Sequence, residues 1–291
     1  MAKTPAAKKP QNILLATDLT AASDRAFDRA VQLAKEWGAA LTICHVLEAS
    51  SARPIGIERR IRNIDAEMAE LERGARAVLK QTISKHVVIG DPAERVIEHA
   101  KAIETDFVVT GPAHSKVLGE KLFGSTAARI LRHAHVPVLA ARRRTEGAYK
   151  NVAVSVDLST TSRATATAAR QLFPATDLTL VHALEVDPDW SGRDAGKSID
   201  EIEASERARM LRIADAEIRS FLPESDAKAT FTIIEGKPGP VLVDYVEAKR
   251  PDVVVTGTYS RLNASGQLIG STSEVLLNAL PCDVLAIRPE A

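Results

Sequence analysis

Gly124-Ser125-Thr126 and Gly270-Ser271-Thr272 are the residues of this 291-residue chain whose types and spacing best suit chemistry. Each triplet opens a segment that reads as a helix, and each follows a strand-like run ending in glycine (Gly111, Gly257) at the same spacing. The N-terminus of a helix carries unpaired N–H groups and a partial positive charge, so it attracts phosphate. Glycine lets the backbone approach such an anion, and the Ser and Thr hydroxyls add donors. Ser125 and Ser271 would also serve as ordinary helix caps. Recurrence at one spacing behind a glycine-ended strand favours the phosphate site.

The triplets belong to a repeat. Asn12-Ile13-Leu14-Leu15-Ala16-Thr17-Asp18 lies over Asn151-Val152-Ala153-Val154-Ser155-Val156-Asp157 at an offset of 139. Residues 106–111 (DFVVTG) lie over 252–257 (DVVVTG) at an offset of 146, and both triplets and Val138-Leu139-Ala140 keep that larger offset. The second copy therefore has seven more residues in its middle. A unit of this length is a duplicated domain, too long for a solenoid repeat.

Strand and helix patterns alternate within each copy. Runs at 12–17, 41–47, 84–89, 107–111 and 137–141 are short, apolar and without polar alternation, as strands buried on both faces are. Between them lie helical patterns. One carries Phe27, Val31 and Ala34 on a single face, and a long one steps through Ile57, Ile61, Ile64, Met68, Leu71, Ala75 and Val78. A third starts at Pro92 with Val96 and Ala100, and a fourth starts at Ser125 with Ile130 and Leu131. The second copy has strands near 151–156, 178–184, 229–235, 253–257 and 283–287. The fold class is α/β: two doubly wound domains, each a five-stranded parallel sheet with helices on both faces. The expected boundaries are a disordered tail at 1–11, domains at 12–142 and 151–291, and a linker at 143–150. In such a sheet a ligand sits beyond the carboxyl ends of the strands, where strand order reverses. Asp18 and Asp157 stand there, each also suited to capping the following turn.

Composition narrows the partners. Thirty-eight basic residues balance thirty-eight acidic ones, so no overall field draws the chain to nucleic acid or an anionic membrane. Short basic bunches at Lys3, Lys8, Lys9 and at Arg142, Arg143, Arg144 read as solvated tail and linker. No apolar run reaches membrane-spanning length, and the N-terminus lacks the apolar segment of a signal peptide. Cys44 and Cys282 lie in separate apolar runs, which fits two core thiols in a reducing cytoplasm. His133 and His135, two residues apart, do not share a helix face, so no metal site is expected. His45 and His182 close the second strand of each copy as packed or hydrogen-bonded residues. The chain has no GxxxxGK[ST], GxGxxG or GxSxG, which removes the main support for P-loop, dehydrogenase and hydrolase readings.

A first strand ending in Asp, a fourth ending in Gly, a long loop, Gly-Ser before a helix and a final Pro-Val-Leu strand resemble the universal stress protein family in its tandem form. The resemblance implies Rossmann-like, adenine-nucleotide-hydrolase-like domains and ATP or AMP as ligand, with Mg²⁺ accompanying it. It implies that Asp157 and Asp18 contact the nucleoside and that Ala183 and Val46 offer backbone to the adenine. Thr256-Gly257 and Thr110-Gly111 would pass beneath the ribose and phosphates. Gly270, Ser271, Thr272 and Gly124, Ser125, Thr126 would cradle the phosphates. The family's nucleotide-binding motif G-x2-G-x9-G-[S/T] keeps its spacing in both copies, but His114 and Ser260 replace its middle glycine. His114 crowds the loop more than Ser260, and Pro112 stiffens it, so domain 2 is expected to keep nucleotide affinity and domain 1 to have lost or weakened it. Asp283 stands where the family's last strand has its proline. The resemblance further implies a cytoplasmic stress-response protein whose domains pair within the chain, in place of or alongside a homodimer. Two alternatives stay open: a nucleotide-free scaffold or binder of another small ligand, and a slow ATP hydrolase.

Overall fold

The computed structural model describes residues 9–48, 57–111, 125–185, 199–223, 226–258 and 279–288, without the side chains of 57, 125 and 199–203. His114, Gly124, Ser260, Gly270, Ser271 and Thr272, and most of the N-terminal tail, lie outside the described residues.

The first half runs β1 (Asn12–Thr17), α1 (Asp24–Trp37), β2 (Ala40–Leu47), α2 (Ile57–Val78), β3 (Ile83–Ile89), α3 (Pro92–Ala102), β4 (Phe107–Thr110), α4 (Ser125–His133) and β5 (Val138–Ala140). The second runs β6 (Asn151–Val156), α5 (Thr160–Leu172), β7 (Asp177–Leu184), α6 (Ile199–Arg219), β8 (Ala229–Glu235), α7 (Pro238–Lys249), β9 (Val253–Gly257) and β10 (Asp283–Ile287). The apolar runs are strands because both of their faces are covered. Ile13 and Leu15 face a core layer shared with α1, α2, α5 and α6. Leu14 and Ala16 face a second layer shared with α3, α4 and α7.

Strand order is β3-β2-β1-β4-β5-β10-β9-β6-β7-β8. Each half is a five-stranded parallel sheet, and the order reverses between β1 and β4 and between β6 and β9. The halves join in one mixed sheet because β5 and β10 pair antiparallel, with Leu139 opposite Leu285. Those leucines are the same position of the repeat, so a local two-fold axis passes between them. Arg142 Nη1 donates to the Leu280 carbonyl at 2.6 Å, and its repeat equivalent Arg288 donates to the Ala134 carbonyl at 3.4 Å. Trp37 of α1 stacks edge-on against Phe107 at 5.0 Å and lies 6.4 Å from Phe173, which follows α5, so aromatic rings continue the core across the seam.

The long apolar stripe of α2 is shorter in the fold than in the sequence. Ile64, Met68 and Ala75 are buried and Leu71 partly so, but Ile61 and Val78 are 37% and 48% exposed. The 22-residue helix outruns the neighbours it covers, and Leu79 beyond its end turns inward in place of Val78.

Cys44 and Cys282 are free thiols in the second core layer, and burial pushes both up to about 12. An unfolded thiol releases its proton near 9. The folded chain thus binds more protons than the unfolded one from there to about 12, and stability falls with rising pH across that window. Guanidinium unfolding at pH 9 and 10 should show a Cys44→Ala variant losing about 1 kcal/mol less than the parent over that unit. Equal losses would mean that the thiol titrates as it does in water.

Candidate functional site

The carboxyl ends of β6, β7 and β9 meet at the second half's switch point. A cavity of about 100 Å³ opens there, lined by Ser155, Val156, Asp157, Thr161, Ser162, Ala183, Pro238, Leu242, Thr256 and Gly257. The domain 2 residues named from the sequence that are described, namely Asp157, Ala183, Thr256 and Gly257, all line it.

The turn after β6 is held by its own hydroxyls. Ser159 donates to Asp157 Oδ1 through its backbone N–H at 3.1 Å and its hydroxyl at 2.6 Å. The Ser159 hydroxyl oxygen also accepts from the Ser162 N–H at 3.1 Å, which caps α5. The cap reading of Asp157 therefore describes its contacts, and the carboxylate remains exposed at the cavity's edge. Leu158, between the two, has φ 62°, and its repeat equivalent Leu19 has φ 60°. A left-handed leucine costs roughly 1–2 kcal/mol, so both halves hold a strained residue directly after the strand-end aspartate.

Below the crevice, His182 Nδ1 lies 3.0 Å from the Val156 carbonyl, as His45 Nδ1 lies 2.9 Å from that of Thr17. A carbonyl only accepts, so each ring carries its proton on Nδ1 and ties the end of the second strand to the first. Gly257 ends β9 against α5, and a Cβ there would lie 2.9 Å from Thr165 Oγ1. That glycine is what lets α5, with Thr161 and Ser162, sit close over the strand ends. The first half has the same build: a Cβ at Gly111 would meet Ser23 Oγ at 3.2 Å.

The halves differ in charge at the start of the helix that follows the third strand. In domain 1 Asp18 Oδ1 accepts from the Thr20 N–H at 3.0 Å, the Thr20 hydroxyl at 2.7 Å and the Ser23 hydroxyl. Asp91 caps α3 and pairs with Arg129 of α4 at 2.7 Å, and Glu94 lies 3.4 Å from the same guanidinium. The Glu94 N–H and then Arg129 hold the Asp91 carboxyl below its usual range. The repeat places Lys237 and Pro240 where Asp91 and Glu94 stand, so the acidic pair of domain 1 becomes a single cation in domain 2. Val46 is half-buried on β2, Thr110 and Gly111 are buried at the end of β4, and Thr126 is half-buried in the first turn of α4. Ser125 is the first residue of α4.

The described lining offers hydroxyls and a carboxylate, groups that can hold a polar ligand. Among the described residues no group of three or more His, Cys, Asp or Glu is placed to hold a metal, and no helix is long and apolar enough to cross a membrane. Sequence reasoning missed Ser155, Val156, Thr161, Ser162, Pro238 and Leu242 as site residues. A usable signal existed for one: Gly90-Asp91-Pro92 and Gly236-Lys237-Pro238 repeat at the 146 offset.

The Universal stress protein family matches residues 10–142 and again 148–288. The chain belongs to the universal stress protein family. A universal stress protein of Mycolicibacterium smegmatis is 25% identical over 306 residues, spanning 95% of this chain and 97% of that one. A universal stress protein from Archaeoglobus fulgidus shares the fold at 18% identity with a TM-score of 0.67, covering 96% of this chain and 98% of that chain. A universal stress protein solved in complex with cAMP is similar to 45% of this chain and 97% of its own at 26% identity, with a TM-score of 0.39.

Proposed function

We propose that this tandem universal stress protein is a cytoplasmic, stress-responsive binding module whose domain 2 holds an adenine nucleotide, ATP or AMP, as a regulatory ligand. The carrying observation is the cavity that gathers Asp157, Ala183, Thr256 and Gly257 at the switch point of domain 2. The exchange of Asp91 and Glu94 for Lys237 and Pro240 adds to it, because the two carboxylates outnumber their partner Arg129 at the start of α3, whereas the start of α7 carries a lysine, which favours phosphate in domain 2. Gly270, Ser271 and Thr272 complete the reading as the phosphate cradle, with Ser260 at the motif's middle position, and Mg²⁺ arrives with the nucleotide. Domain 1, with His114 in place of the motif's middle glycine ahead of Gly124, Ser125 and Thr126, holds nucleotide weakly or not at all. The two halves act as an intramolecular pair in place of a homodimer of single domains.

Titration calorimetry of the full chain with ATP–Mg²⁺ tests the reading. Asp157→Ala should weaken binding by about tenfold, the value of one hydrogen bond to a charged group, and Asp18→Ala should leave it within about twofold. Equal losses from both variants, or loss from Asp18→Ala alone, would overturn the assignment to domain 2. Mass spectrometry of the protein as purified separates the alternatives. Retained ATP agrees with a regulatory ligand, AMP or ADP with turnover indicates a hydrolase, and a different occupant indicates another ligand class.

A further inference from the structure

The seam between the halves is two-fold in its backbone and one-sided in its charges. Asp283, the first residue of β10, is fully buried. Its Oδ1 accepts from the Arg142 N–H at 2.7 Å and the Arg143 N–H at 2.9 Å, and its Oδ2 accepts from the Tyr149 hydroxyl at 2.6 Å. Arg29 of α1 brings Nε to 3.4 Å from Oδ2, donates Nη1 to the Gly147 carbonyl at 2.8 Å and lies 4.0 Å over the Tyr149 ring. Domain 2 thus supplies the carboxylate, while domain 1 and the linker supply what neutralises it.

The repeat shows what a symmetric union would lack. Pro137 is the equivalent of Asp283, Ala168 of Arg29 and Pro289 of Arg143. Pairing of domain 1 with a second domain 1 would set Arg29 against Pro137 and leave a buried guanidinium without a carboxylate. Pairing of domain 2 with a second domain 2 would set Asp283 against Ala168 and Pro289, removing the guanidinium and one N–H donor, since proline has none. Either union strands a charge in the core, where removing one partner of an ion pair is strongly unfavourable.

We propose that the Arg29–Asp283–Tyr149 clamp is a pairing-specificity device, which makes the seam heterotypic and keeps each half from pairing with its like on a second copy of this chain. The Arg142–Leu280 and Arg288–Ala134 contacts hold either kind of union together, and the clamp chooses between them. The inference rests on the pairing of the halves across β5 and β10 and is independent of nucleotide binding.

Leu139 lies on the local axis, so a cysteine introduced in its place meets the same cysteine of a second chain only when two first halves pair. Full-length protein carrying Leu139→Cys in a Cys44→Ala/Cys282→Ala background is oxidised, with and without Arg29→Ala/Asp283→Pro, which gives each half the other's residues at the clamp. Disulfide-linked two-chain product should stay at trace level in the first protein and rise at least tenfold in the second. An Arg29→Met/Asp283→Asn pair, neutral and closer in size, should behave as the second does and guards against a variant that does not fold. No rise in either folded variant would overturn the proposal. Abundant linked product in the protein with its clamp intact would instead overturn intramolecular pairing itself.

Discussion

Asp283→Ala is expected to be the most destabilising single substitution outside the aromatic core, by about 3 kcal/mol or more. The reason is what it leaves behind. Asp283 is wholly buried, and four groups converge on it: two backbone N–H groups, a phenol and a guanidinium. Burial and the carboxylate together push the Tyr149 phenol well above its ordinary value, so it stays protonated and donates. Removing the carboxylate takes the acceptor from both N–H groups and the phenol and the counter-ion from buried Arg29, which keeps only its Gly147 carbonyl and the Tyr149 ring. Thermal unfolding should shift down by roughly 6–12 °C. Asp283→Asn keeps an acceptor for the two N–H groups and should lose less. Arg29→Ala/Asp283→Pro, which leaves no buried charge, should recover part of the loss relative to Asp283→Ala. A loss below about 1 kcal/mol for Asp283→Ala would show that solvent enters the seam and compensates the exposed groups.

That clamp also marks where reading the sequence ends. The strands were legible almost to the residue, because parallel strands buried on both faces are continuous apolar runs and the second copy repeats them. The switch-point residues Asp157, Thr256 and Gly257 were legible because strand ends at an order reversal are where such sheets open. Asp283 was visible as an irregularity, a carboxylate in an apolar strand where a proline was expected. Its meaning was not visible, because its counter-ion Arg29 lies 254 positions away and looks like any exposed helix residue. The pairing of the halves was expected only from the family resemblance, and its antiparallel register was not. Nothing in the run Val138-Leu139-Ala140 says which edge it meets, since backbone ladders carry no side-chain signature. The exposure of Ile61 and Val78 follows from tertiary reach: periodicity gives a face, and only the neighbouring elements determine how much of it is covered.

Gly257→Ala is expected to lower stability by about 2 kcal/mol and nucleotide affinity by at least tenfold, and Thr165→Ala should restore much of both. The added methyl would lie 2.9 Å from Thr165 Oγ1, a separation that real Cβ atoms essentially never show. Thr165 cannot swing aside, because it is completely buried in α5 and its hydroxyl donates to the Thr161 carbonyl at 3.1 Å. The strain is relieved by moving α5 outward, and α5 carries Thr161 and Ser162 on the cavity wall. The two substitutions are thus coupled: the oxygen that Thr165→Ala removes vacates the space that the new methyl needs. Domain 1 supports this coupling, since Ala26 already occupies the position of Thr165 there and the nearest atom to a Cβ at Gly111 is Ser23 Oγ at a looser 3.2 Å. Gly111→Ala should accordingly be milder in stability and leave nucleotide binding unchanged if binding belongs to domain 2. Unfolding midpoints and ATP–Mg²⁺ titrations of the three single variants and the Gly257→Ala/Thr165→Ala pair decide the matter. Additive losses in the pair would show that Gly257 is needed for something other than the close approach of α5. Affinity lost without stability would place the methyl against the ligand itself.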